Sequence, residues 1–171
     1  MDKKVLVAYA TKRGGTAEIA ERIGEVLRDR GLATDVAEVR NVRDLAPYTA
    51  VVLGSAVYIG QWRKEAGAFL RENQEILGKK AVWLFSSGPT GEGDPVDLAQ
   101  GWRFPSGLQE VADQLDPRDI AIFHGVLRAK DLNIIEKWML KNVGAPLGDF
   151  RDWDAITEWA ASIAEAVGKE E

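Results

Sequence analysis

"YATKRGGTAEIA" (residues 9–20) carries the chain out of an apolar run and into a helical pattern through two adjacent glycines with a threonine on either side. The run before it, "KVLVAYA" (4–10), is nearly continuous, apolar and β-branched, the pattern of a strand covered on both faces and so of a parallel sheet. After it, from Thr16, the residues Ile19, Ala20, Ile23, Val26 and Leu27 make one apolar helix stripe, closed by the basic residues and glycine of "RDRGL". A glycine-rich turn leading straight into a helix presents unpaired backbone N–H groups at the positive end of the helix dipole, and flanking hydroxyls complete a concave anion site. Two readings stand: a phosphate cradle, or a tight strand-to-helix turn with Thr16 as N-cap. The turn matches neither G-x-x-x-x-G-K-[ST] nor G-x-G-x-x-G. Lys12 and Arg13 either add charge toward a dianionic phosphate or are solvated, and at least one is expected to be merely solvated.

The same alternation continues along the chain. "ATDVAEV" (33–39) reads as a half-polar edge strand and "AVVLGSA" (50–56) as a buried one. Glu65 to Ile76 reads as helix, with Ala66, Phe69, Leu70 and Ile76 inward, followed by a strand in "KKAVWLFSS" (79–87). A helix is expected around Ser106–Gln114, a fifth strand in "RDIAIFHG" (118–125), and a last helix in "DWDAITEWAASIAEAV" (152–167) that buries Ile156, Trp159, Ala160, Ile163 and Val167. Five strands interleaved with helices predict a doubly wound α/β fold, because parallel strands need crossovers. Five favour the order 2-1-3-4-5, a three-layer α/β/α sandwich, over the Rossmann order. Ligands of such sheets sit beyond the carboxyl ends of the strands, at the switch point between strands 1 and 3.

Composition narrows the chemistry. At 171 residues and 46% hydrophobic content the chain is expected to form one domain, residues 1–171. A formal net charge of −5 disfavours a broad nucleic-acid footprint. The absence of cysteine excludes disulfides, thiolate catalysis and cysteine-ligated metal clusters, so redox chemistry needs a borrowed cofactor. The N-terminal apolar run is short and lacks a small-residue cleavage site, and no stretch approaches the roughly 20 apolar residues of a spanning helix. A soluble, cytoplasmic protein is the expectation.

T-x-x-G-x-T at Thr11–Thr16, directly after the first strand, resembles the phosphate loop of flavodoxins, with Arg13 where that loop usually carries a hydroxyl. "VVLGSAVYIGQWRKEAGAFL", "IFHGVLR", "NIIEKWMLKNVGAP" and "RDWDAITEWAASIA" resemble, in order, successive segments of one branch of that family, the menaquinone-dependent protoporphyrinogen IX dehydrogenases. The resemblance covers nearly the whole chain. It implies a flavodoxin-like fold with a helical insert at about 129–150, and non-covalent FMN as cofactor. It also implies that the flavin carries the electrons, with a reduced organic substrate and a quinone acceptor. Thr11, Lys12, Arg13, Gly14, Gly15 and Thr16 would then form the phosphate loop. Ser55, Ala56, Val57, Tyr58, Ile59, Gly60 and Trp62 would flank one face of the ring, and Ser86, Ser87, Gly88, Pro89, Thr90 and Gly91 would run along its edge.

Other readings stand beside these. Tyr58 and Trp62 either stack on a flavin, whose faces need flat aromatic contacts, or are partly buried surface aromatics. Glu92–Pro105 is a lid or partner surface, or a flexible excursion. His124 and Arg128 are candidates for the substrate rim, and no residue stands out as a catalytic acid, base or metal ligand. Leu132, Ile135, Trp138 and Met139, with Val143, make an amphipathic stripe. Core packing or a dimer contact is expected of it ahead of a peripheral membrane contact, because its polar face is only weakly charged. A receiver-type signalling domain of the same strand order needs clustered acids where this chain has Tyr9, Ala10 and Gly54. An electron shuttle between protein partners, or a cofactor-free interaction module of the same fold, are the alternatives to an enzyme.

Overall fold

Strands that are apolar along their whole length need cover on both faces, and the helices supply it. The computed structural model describes residues 2–170, with the side chain of Val143 left out. Its elements are β1 (Lys4–Ala10), α1 (Gly15–Asp29), β2 (Ala33–Glu38), β3 (Ala50–Tyr58), β4 (Gln61–Trp62), α2 (Lys64–Glu72), α3 (Gln74–Leu77), β5 (Ala81–Ser87), α4 (Pro95–Leu98), α5 (Gln109–Leu115), β6 (Asp119–Phe123), β7 (Val126–Leu127), α6 (Ile134–Val143), β8 (Gly148–Asp149) and α7 (Trp153–Lys169). The parallel strands lie in the order β2-β1-β3-β5-β6, with β4 as an antiparallel arm on β3. Without that arm this is the expected order 2-1-3-4-5, with β2 at the edge.

Alternate residues of each central strand enter opposite layers. Val5 and Val7 of β1, Val52 of β3, and Trp83 and Phe85 of β5 pack with Ile19, Ile23 and Leu27 of α1 and Ile156, Ile163 and Val167 of α7. Leu6 and Ala8, Val51 and Leu53, and Val82 and Leu84 pack on the other face with Ala66 and Leu70 of α2, Leu77 of α3 and Ala112 of α5. Gly54 sits in register between Tyr9 and Phe85, and a Cβ there would fall inside the Phe85 ring. That vacancy lets the fully buried Phe85 lie across the sheet against Phe123 and Trp159, with ring centroids 5.9 Å away in both cases. Trp159 is inward as expected but keeps its indole N–H on Asp119, at 2.8 Å.

Three local features depart from the sequence reading. The helix expected over 65–76 breaks at Asn73, whose side-chain amide donates to the Phe69 carbonyl at 2.8 Å and so competes with the helical ladder. The β4 arm is formed by a turn in which both Ile59 (φ 50) and Gly60 (φ 68) are left-handed, as a two-residue hairpin turn of this type requires. Between residues 86 and 107 the chain is less irregular than expected. Asp94 caps the short helix α4, and the buried Phe104 packs edge-on against Trp62 at 5.0 Å.

The carboxyl ends of β1, β3, β5 and β6 share one edge of the sheet, so the segments that follow them converge there. After β6 an excursion begins and ends in a two-stranded ribbon, β7 against β8, with Val126 opposite Asp149 and Leu127 opposite Gly148. Arg151 ties this ribbon to the start of α1. Its side chain is 2% exposed and makes a forked pair with Asp149 (Nε to Oδ1 at 2.9 Å, Nη2 to Oδ2 at 2.7 Å). Nη1 donates to the Gly15 carbonyl at 3.3 Å and reaches Glu18 at 3.2 Å, while the guanidinium lies 4.8 Å from the Trp153 ring centroid. The hydrogen bonds from Arg151 hold the Asp149 carboxyl below its ordinary value of 3.8.

Two outcomes follow for stability. Gly54→Ala is expected to cost about 1–3 kcal/mol, since the Phe85 ring has no room to retreat, and denaturant unfolding of the variant measures this. Asp149→Asn is expected to lose about 0.5–1.5 kcal/mol near neutral pH, a figure reduced because Asp149 is partly wetted. A carboxylate whose value is depressed by folding stabilises above its unfolded value and ceases to do so as pH falls through the folded one. Melting curves of wild type and Asp149→Asn should therefore converge below about pH 4.

Candidate functional site

α1 starts at Gly15, two residues earlier than an N-cap at Thr16 would require. Gly14 caps it in a left-handed conformation (φ 91), and the Gly14 amide donates to the Thr11 hydroxyl at 2.9 Å. The first backbone bond returning into the turn runs from Glu18 to the Gly14 carbonyl, so the amides of Gly15, Thr16 and Ala17 precede the helical ladder. Gly15 and Thr16 line a cleft of about 890 Å³ at the carboxyl edge of the sheet.

The cleft brings together most of the residues singled out from the sequence. Thr11, Lys12, Arg13, Gly15 and Thr16 line one end; Ala56, Val57, Tyr58 and Ile59 come from the end of β3; Ser87, Gly88, Pro89, Thr90 and Gly91 follow β5; and Arg128 is half-buried in the wall. Tyr58 is 41% exposed, and Ile59, a β-branched residue at positive φ, is 73% exposed on the rim. Residues in that conformation are strained, so the apolar tip stands at the cleft at a cost to the backbone.

Six expected residues are not among those lining the cleft. Gly14 is occupied as the cap, and Gly60 in the β4 turn. Ser55 is fully buried and ties that arm down, accepting from the Arg63 amide at 2.9 Å and donating to the Ala56 carbonyl at 2.9 Å. Trp62 is a core residue whose indole N–H donates to the hydroxyl of the buried Ser86 at 2.8 Å. His124 is 8% exposed, with Nδ1 3.1 Å from the Pro89 carbonyl and Nε2 2.7 Å from the Gly93 carbonyl. The ring thus stands between two carbonyls of the segment after β5, where a neutral imidazole donates to one of them, and it is not among the residues that line the cleft.

Lys12 is exposed and Arg13 half-buried, and both are engaged by a distant carboxylate. Both pair with Glu136 of α6, Lys12 Nζ at 3.1 Å and Arg13 through Nη2, while Arg13 Nε donates to the Asp131 carbonyl at 2.6 Å. Lys12 also lies 4.9 Å from the Tyr58 ring centroid. The hydrogen bond from Arg13, then that from Lys12, lowers the Glu136 carboxyl below its ordinary value. Asn133 caps α6, accepting from the Glu136 amide at 2.8 Å. This phase turns Glu136, Met139 and Leu140 toward the cleft and leaves Ile134 (86%) and Ile135 (70%) exposed; Trp138 borders the cleft but stays 66% exposed. The expected apolar stripe is therefore split. Leu132 is buried and Met139 half-buried, Ile135 and Trp138 are in water rather than on the core, and Val143 lies outside the described side chains.

Glu136, Met139, Leu140, Leu98, Val126 and Pro146 are cleft residues that sequence reasoning missed. Their signals were membership of the insert, of the glycine-rich segment or, for Val126, of the run after the fifth strand, and for Met139 the apolar stripe, none of which says that a side chain faces the cleft. Asp149 and Arg151 were likewise missed, although D-x-R in an extended segment places both side chains on one face. Among the described residues no His, Asp and Glu cluster suited to a metal comes together, and no helix is long and apolar enough to cross a membrane.

The size and lining of the cleft suit a small ligand. A volume of about 890 Å³ lies within the usual range for small-ligand sites. One end carries helix N-terminal amides and threonine hydroxyls suited to a phosphate, and the walls are largely apolar. Among curated proteins, protoporphyrinogen IX dehydrogenase [quinone] of Escherichia coli (strain K12) is 22% identical, over 97% of each chain. Among solved structures, a flavodoxin from the domain Archaea has a TM-score of 0.64 at 16% identity, covering 96% of this chain and 99% of that one. The rubredoxin oxygen:oxidoreductase from Desulfovibrio gigas also has a TM-score of 0.64, at 15% identity, with 96% of this chain matching 36% of the longer one. The family model for the flavodoxin domain matches residues 6–154, and the chain belongs to that family.

Proposed function

We propose that the chain binds FMN non-covalently in this cleft and works as an oxidoreductase on a reduced organic substrate, with a quinone as electron acceptor. The observation that carries the reading is the start of α1 at the floor of the cleft, where Gly15 and Thr16 stand at the positive end of a helix. The amides of Gly15, Thr16 and Ala17, with the Thr16 hydroxyl, would hold the phosphate. Thr11 is already engaged with Gly14 and acts by shaping the turn. Tyr58 on one side and the Ser87–Gly91 segment on the other would orient the ring. The flavin, when bound, accepts and releases the electrons.

A small-molecule reaction is favoured over a shuttle between proteins because the insert covers part of the cleft with Met139 and Leu140. A cover of that kind restricts access by a folded partner and excludes water from an apolar space. The distant likeness to protoporphyrinogen IX dehydrogenase supports a porphyrinogen-like substrate as the first to assay.

Titration of the purified protein with FMN, followed by visible absorption, tests the reading. Wild type should perturb the flavin spectrum, and Gly15→Asp should abolish the change. A side chain at this position meets Val126 Cγ1 at 2.8 Å and its carboxylate opposes the phosphate, so several charge-assisted bonds of about 1.5–3 kcal/mol each are lost, at least a hundredfold in affinity. An unperturbed FMN spectrum with wild type, and no copurifying flavin, would leave a cofactor-free module of the same fold. With flavin bound, turnover of protoporphyrinogen with a menaquinone analogue supports the enzyme, whereas reduction by a flavodoxin reductase without such turnover supports the shuttle.

A further inference from the structure

Two cations stand beside the anion cradle, and both are committed to one carboxylate that lies more than 120 positions further along the chain. Lys12 and Arg13 belong to the turn that shapes the cradle; Glu136 belongs to the helix that covers the cleft; all three line it. Beyond this cluster, α6 is joined to the same end of the cleft by the Arg13 bond to the Asp131 carbonyl and by the contact of the Tyr58 hydroxyl with Met139 Sδ at 3.7 Å. The outer face of α6 is in water, so these contacts, with the half-buried Met139 and Leu140, hold it on the cleft.

We propose that Glu136 is a displaceable counter-ion: it clasps the insert helix to the phosphate turn until a phosphate in the cradle claims Lys12 and Arg13, and filling the cradle then releases α6. The inference rests on the reading of the cradle as a phosphate site. A dianionic phosphate is a stronger partner for a guanidinium and an ammonium than one carboxylate, and it repels that carboxylate at short range. Occupancy of the cradle and closure of α6 are therefore linked, and linkage is reciprocal: phosphate loosens the clasp by the factor by which the closed clasp weakens phosphate binding, so removing the carboxylate while keeping both cations strengthens that binding. The residues that ride on the clasp, Met139 and Leu140, cover the apolar part of the cleft, so release gives a second reactant a way in once the cofactor is seated.

Hydrogen exchange of the amides of residues 134–143, with and without inorganic phosphate, reads the clasp directly, since phosphate alone fills the cradle without touching α6. In wild type, phosphate should speed exchange severalfold. In Glu136→Gln exchange should already be fast and phosphate should leave it unchanged. Parallel titrations with FMN and riboflavin isolate the phosphate contribution. Glu136→Gln should tighten FMN by up to about fivefold, the scale of one partly screened charge pair, and leave riboflavin unaffected. Arg13→Gln provides the second variant, freeing α6 equally while weakening FMN. Slowed or unchanged exchange of wild type at phosphate concentrations that displace FMN would overturn the clasp, as would equal shifts for FMN and riboflavin. If FMN perturbs nothing but phosphate still frees α6, the flavin reading fails while the clasp stands.

Discussion

The hydrogen bond from the Gly14 amide to the Thr11 hydroxyl turns β1 into α1 within four residues, and the site depends on that economy. A longer connection would separate the helix N-terminus from the sheet edge. Gly14 makes the turn possible by adopting a conformation that costs other residues about 1–2 kcal/mol. The result is a helix whose first amides open onto the cleft beside the ends of β3 and β5. Arg151 braces the same turn from the opposite side through the Gly15 carbonyl, so the cradle is held by a hydroxyl in front and a buried guanidinium behind.

Charge is divided unevenly around this point. Gly15 and Thr16 line the cleft with neutral donors, while Lys12 and Arg13, which line it too, are paired with Glu136. The two cations of the turn thereby attach the covering helix. Their bonds help keep α6 in place although Ile134, Ile135 and Trp138 are exposed, and they add to the docking of half-buried Met139 and Leu140.

The fold was legible because its signals are local and repeated. "KVLVAYA", "AVVLGSA" and "KKAVWLFSS" are covered on both faces and so read as buried parallel strands, and the stripes of α1 and α7 lie at helical spacing. The strand-to-helix turn at 11–16 was legible for the same reason, since its glycines and threonines are consecutive residues. What escaped was set by distant partners. Nothing near Lys12 or Arg13 announces Glu136; nothing near Trp62 announces the Ser86 hydroxyl; and the carbonyls around His124 come from a segment without regular structure. The break at Asn73 has a local cause, but a side-chain amide competing for one carbonyl is weaker than the apolar pattern running through it.

The ribbon of β7 and β8 places the two ends of the excursion about one strand spacing apart, roughly 5 Å. Everything from residue 128 to 147 thus leaves and re-enters the sheet at nearly the same point, and its length is uncoupled from the geometry of the strands. Closing such a loop costs only about 0.6 kcal/mol more for each doubling of its length. The segment is a cassette: a tight turn across Leu127 and Gly148 would shorten the chain without disturbing the register of the main sheet, and a longer graft at the same joint would arrive directly over the cleft.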